Sequence, residues 1–72
     1  MNKLIYNWKF EVGEQVHSEL YRANGTVSSR RWIEDMSGGE EQYHVYFRTG
    51  NGVVTDHVEA DMLEHGEKVY ID

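Results

Sequence analysis

The sequence predicts an all-β domain of five short strands, and three observations carry that expectation. Gln42 to Val58 holds two runs rich in β-branched and aromatic residues around Asn51-Gly52, the strongest short-range signal of a hairpin. Within it Tyr43, Val45 and Phe47 alternate with His44, Tyr46 and Arg48, so one parity can be buried while the other meets solvent. The chain has 7 glycines, placed where turns between short runs are needed, and no proline. The one stretch of helical character, Glu59 to Leu63, is a single turn, too short to nucleate a helix alone.

At 72 residues the chain is expected to form one domain over residues 1–72, near the lower limit for a core that folds without staples. It has no cysteine, which removes disulfides and thiolate zinc sites and agrees with a cytoplasmic setting. No apolar run approaches the roughly 20 residues of a membrane span, and the N-terminus lacks the apolar region of a signal peptide. A soluble, cytoplasmic chain complete from Met1 is the expectation. The formal net charge is −6, from 13 Asp+Glu against 7 Lys+Arg. Phosphate affinity comes from basic side chains, so this balance disfavours direct nucleic-acid binding. The basic candidates Arg22, Arg30, Arg31 and Arg48 are few. The charge fits solubility first and a cationic partner second.

Taken in order, Leu4, Tyr6, Trp8 and Phe10 recur at period two. Residues 1–9 are expected to form an N-terminal arm or extra strand that packs Trp8 and Phe10 over one end of the core. The alternative is an edge at Leu4–Phe10 that pairs two copies, so a monomer and a homodimer both remain open. Val12, Val16 and Leu20 share one parity and are expected inside, with Gly13 in a turn. Tyr21 to Gly25 reads as a loop closed by Asn24-Gly25. Thr26 to Ile33 reads as the second strand, Glu34 to Glu41 as a long acidic loop, and Gln42 to Arg48 as the third strand. Val27 is expected opposite Phe47, Ser29 opposite Val45 and Arg31 opposite Tyr43. The outward face then collects Ser28, Arg30, Trp32, His44 and Tyr46. In the fourth strand, Val53 to Val58, a two- or four-residue loop sends Val54, Asp56 and Val58 inward, the preferred reading, and a three-residue loop sends Val53, Thr55 and His57 inward instead. A buried Asp56 needs a donor, a water or a bulge. Leu63 is expected to plug the core, Gly66 to take a positive φ, and Glu67 to Ile71 to form the last strand.

This order of elements resembles the SH3-like small barrels. The matching pieces are Phe10-x-Val12-Gly13-Glu14-x-Val16, Gly25-Thr26-Val27, Tyr43-x-Val45-x-Phe47 with its glycine turn, and Val58-x-x-x-x-Leu63. They are similar to the pattern shared by Tudor and KOW domains and span about Phe10 to Ile71. The resemblance implies a five-stranded barrel with one helical turn before the last strand. A Tudor-like domain would hold a cationic peptide in an aromatic cage. Trp32, Tyr46 and Tyr21 are the candidate rings here, with Asp56 as the acid. A KOW-like domain would work beside RNA or the transcription machinery. A plasmid-borne type of dihydrofolate reductase uses the same small barrel, but Val53-Val54-Thr55-Asp56 stands where that enzyme has Val-Gln-Ile-Tyr, so its activity does not carry over.

No catalytic set stands out. The serines lack a strained elbow, Gly38-Gly39 is followed by acids that repel phosphate, and a filled small barrel offers no pocket to tune a carboxylate. Asp56, His57, Glu59, Asp61, Glu64 and His65 cluster in sequence, but strand and turn geometry sends them apart, so no metal or cofactor is expected. The sequence therefore points to a non-enzymatic module that binds a protein or cationic peptide. Its expected surface is Tyr21, Arg30, Trp32, His44, Tyr46 and Asp56. The rival readings are a small acidic inhibitor imitating nucleic acid, from Glu34–Glu41 and Asp56–Glu67, and a KOW-like nucleic-acid-associated domain.

Overall fold

A computed structural model describes residues 7–71. It holds five strands: β1 (Gln15–Ser18), β2 (Ala23–Ile33), β3 (Glu40–Thr49), β4 (Gly52–Glu59) and β5 (Glu64–His65). A 3-10 turn, Ala60–Met62, precedes β5. The strands form one antiparallel sheet in the order β4-β3-β2-β1-β5. The all-β class and the helical turn are as expected. The sheet, however, does not close into a barrel: β4 and β5 are its two edges. The reason is length, because β5 is two residues long and makes only two register pairs with β1. No helix among the described residues is long and apolar enough to cross a membrane.

The core is Phe10, Val16, Ala23, Val27, Tyr43, Val45, Phe47, Val58 and Leu63. Tyr43, Val45 and Phe47 take the buried parity of β3, and Leu63 plugs the sheet below the 3-10 turn. Each such large apolar side chain contributes roughly 1.5–3 kcal/mol by leaving water. Val12 and Leu20 are exposed, 56% and 70%, against expectation. Alternation fails at both because neither lies in a strand: β1 spans only Gln15–Ser18, between the bend at Gly13 (φ +92°) and the turn at Arg22 (φ 49°). Of the N-terminal arm, Leu4 to Tyr6 lie outside the described residues. Phe10 is fully buried with Trp8 packed against the core, so these two residues cover the core as expected.

Asn24-Gly25 is not a turn. Both residues lie inside β2, which starts at Ala23. Asn24 instead clamps the C-terminal segment: its Nδ2 donates to the Lys68 carbonyl and its Oδ1 accepts from the Lys68 amide, each at 2.8 Å. Residues 67–71 are therefore held by a side chain and do not form the expected last strand; Val69 and Ile71 are 80% exposed. Glu40 and Glu41 belong to β3 and not to the preceding loop.

The register of β2 on β3 differs from expectation. Gly25 faces Phe47, Val27 faces Val45, and a β-bulge between Val27 and Ser29 then shifts the pairing. Arg30 lies opposite Tyr43, Arg31 opposite Gln42 and Trp32 opposite Glu41. Ser28 holds this irregularity in place. Its hydroxyl donates to the His44 carbonyl (3.0 Å) and lies 2.8 Å from His44 Nδ1. One extra residue swaps the faces of everything after it.

The β3–β4 hairpin follows the two-residue reading, with Thr49 opposite Gly52 and Val54, Asp56 and Val58 on the core parity. The positive φ falls on Gly52 (+111°), and Thr49 Oγ1 accepts from the Asn51 amide at 3.1 Å. Gly66 takes φ +82° as expected.

Candidate interaction surface

The bulge splits the expected surface. His44 and Tyr46 remain on the outer face, whereas Arg30 and Trp32 move to the core side of β2. The Arg30 guanidinium donates to the Phe10 carbonyl (3.0 Å) and lies 4.9 Å from the Trp8 ring centroid, so it latches the N-terminal arm. Trp32 lies against Gly39, where a Cβ would come within 2.7 Å of its indole nitrogen. Tyr21 stacks on Phe47 with ring centroids 4.5 Å apart, and its hydroxyl donates to Asp56. That bond, with the exposure of β4, answers the inward parity of Asp56; no bulge is needed there. Trp32 and Tyr46 thus occupy opposite faces, and the four cage candidates do not assemble.

What stands on the outer face instead is a histidine–tyrosine patch. His44 stacks on His57 (centroids 4.6 Å) and meets Tyr46 edge-on (5.3 Å). Arg31 joins this side, with its Nε donating to Gln42 Oε1 at 2.8 Å. His57 and Arg31 were not assigned to the site from sequence. The pairing of His57 with His44 follows from the two-residue hairpin and was legible there.

Next to this patch, β4 is an edge strand. Among the described residues it pairs with β3 alone, and every residue of it except Val58 is exposed. It has no lysine, no proline and no bulge, and the one charge it turns toward the core is Asp56. Along this edge a shallow cleft of about 230 Å³ is lined by Tyr21, Asp56, Val58 and Met62 together with Gln42 and His57. At its C-terminal end the Glu40 carboxyl is held above its ordinary range. The first cause is a hydrogen bond shared with Glu59; the nearby charges of Glu59, Asp35 and Asp61 add to it. Glu40, Glu59 and Asp61 form no ion pair among the described residues.

Two further groupings lie on the other side of the molecule. Arg22, Arg48, Lys68 and Tyr70 help line an open pocket of about 490 Å³, but Arg48 is engaged by Glu67 and Lys68 by Glu19. Where β1 meets β5, His17, Glu19 and Glu64 bring one ligand atom each within 4.8 Å of one another. This trio was not found from sequence, since Glu64 lies far along the chain from the other two. No family model, curated protein or solved structure matches the chain.

Proposed function

We propose that the protein is a non-enzymatic interaction domain that takes an extended, Lys- or Arg-bearing segment of a partner protein alongside β4. The observation that carries this reading is the rim of an eight-residue edge strand that pairs on one side alone among the described residues and ends in crowded carboxylates. An added strand gains main-chain hydrogen bonds, and its alternate side chains meet two different surfaces. One set meets Tyr46, His44 and His57; the other meets the cleft of Tyr21, Val58 and Met62. A cation at the far end relieves the repulsion that helps to hold the Glu40 carboxyl above its ordinary range. The SH3-like assignment belongs to the same proposal. It is supported by the order of hairpin, single helical turn and short last strand.

The test is binding to an array of extended peptides with and without lysine and arginine. Capture is expected to weaken with salt and to fall at least tenfold in Tyr46→Ala and in Glu59→Gln. Cation-free peptides captured as well as cationic ones, or binding untouched by both substitutions, refutes the reading. Competition by duplex DNA for the same target would point instead to the nucleic-acid mimic.

A further inference from the structure

We propose that His17, Glu19 and Glu64 form a divalent-cation site of zinc type that fastens β5 and the C-terminal segment to β1. The argument starts from the imidazole. His17 is 9% exposed, and its Nδ1 lies 2.9 Å from the Gly66 carbonyl. A carbonyl only accepts, so Nδ1 carries a proton, and the tautomer this selects has its lone pair at Nε2. Among the described residues no hydrogen bond reaches that lone pair. The nearest charged oxygen is Glu64 Oε1 at 3.9 Å, beyond hydrogen-bond reach. A backbone carbonyl on the far nitrogen is how metal-binding histidines are oriented.

Glu19 completes the set from the turn after β1, and the three ligand atoms lie within 4.8 Å of one another. Two ligands on a zinc-sized ion, at about 2.0–2.2 Å each, are about 3.4 Å apart, so the carboxylates need only modest rotation. Both are free to rotate, because Glu64 and Glu19 have side chains 66% and 49% exposed. Lys68 now occupies Glu19, whose carboxyl it holds below the ordinary range by its hydrogen bond. An incoming cation displaces that ammonium to solvent and keeps the site near neutral. One imidazole and two carboxylates suit zinc better than magnesium, which prefers all-oxygen shells and keeps its waters.

The experiment titrates the full chain at neutral pH with zinc and, separately, magnesium, read by calorimetry and by the melting temperature. One zinc per chain is expected, with a rise in melting temperature and magnesium at least a hundredfold weaker. Glu64→Gln should weaken zinc at least tenfold and Glu19→Gln with Glu64→Gln at least a hundredfold. Both changes are on exposed side chains that leave the fold intact. His57→Ala, on the opposite side, should leave zinc unchanged. No binding at millimolar zinc, equal affinity for magnesium, unchanged affinity in the double variant, or loss in His57→Ala overturns the site.

Discussion

Gly25→Ala tests whether the sheet needs a missing side chain at this point rather than a special backbone angle. Gly25 lies in β2 opposite Phe47, and its φ is outside the left-handed region, so an alanine there suffers no backbone strain. Its Cβ would come within 2.7 Å of Val45 Cγ1, 2.8 Å of the Tyr46 carbonyl oxygen and 3.0 Å of Phe47 Cδ1. Two of these atoms belong to fully buried side chains and the third to the backbone of β3, which is paired on both sides, so none yields cheaply. Overpacking of this kind costs about 1–3 kcal/mol. Alanine recovers about 0.5–1 kcal/mol of that through the lower entropy of its unfolded chain. The net is a loss of about 1–2 kcal/mol, which for a domain this small lowers the melting temperature by roughly 5–15 °C. Gly50→Ala is the control, since a Cβ there meets nothing within 4 Å and the φ is ordinary. Urea and thermal unfolding of both variants, followed by circular dichroism, decide the matter. A Gly25→Ala chain as stable as Gly50→Ala would refute the packing argument.

Leu63→Ala removes a fully buried side chain beneath the 3-10 turn and should cost about 2–5 kcal/mol in chemical unfolding. Burial, helped by the Glu41 carboxylate, pushes the Tyr43 hydroxyl up to about 12. Because the unfolded tyrosine ionises first, near 10, stability should fall as pH rises from about 10 to 12, and Tyr43→Phe should flatten that slope. Glu40 is held above its ordinary range, so the favourable state is present at acid pH and lost as pH rises past the usual carboxylate range. Glu59→Gln should therefore raise the melting temperature at pH 7 and leave it unchanged near pH 3.

The hairpin and the core parity of β3 were legible because both are local, but the loop length was not: Asn51-Gly52 marks the reversal, and only the pairing of Thr49 with Gly52 shows that the loop is Gly50-Asn51. Leu63 and Gly66 were legible for similar reasons, one apolar residue after a polar turn and one glycine where the chain reverses. The bulge at Ser28 was not. A serine in a run of polar β2 residues looks like any other, and only its bonds to His44 reveal the inserted residue. That single insertion undid the expected grouping of Arg30 and Trp32 with His44 and Tyr46. Asn24-Gly25 misled for a related reason. The dipeptide that signals a turn serves here as a side-chain clamp and a close approach, both with partners distant in sequence. Strand closure was likewise invisible, because it depends on how few residues β5 can pair.

The same insertion also decides where charge goes uncompensated. Before the bulge the sheet faces are set by Ala23, Gly25 and Val27; after it Arg30 turns inward to the Phe10 carbonyl, and Arg31 turns outward to Gln42. Neither arginine then reaches Glu40 or Glu59 at the β4 end of the sheet. Had the register run without the bulge, Arg30 and Trp32 would share the outer face with His44 and Tyr46, and the edge would lie beside a resident cation. As built, Arg30 and Arg31 are committed elsewhere, and the Glu40 carboxyl beside the edge is held above its ordinary range by its hydrogen bond with Glu59. A rim that pairs on one side alone among the described residues, beside carboxylates that repel one another, is the arrangement that the proposed basic segment would complete. This is why the peptide array should separate Glu59→Gln from wild type in opposite senses, weaker in binding and more stable alone. A variant that lost both together would show that the acids hold the fold and recruit nothing.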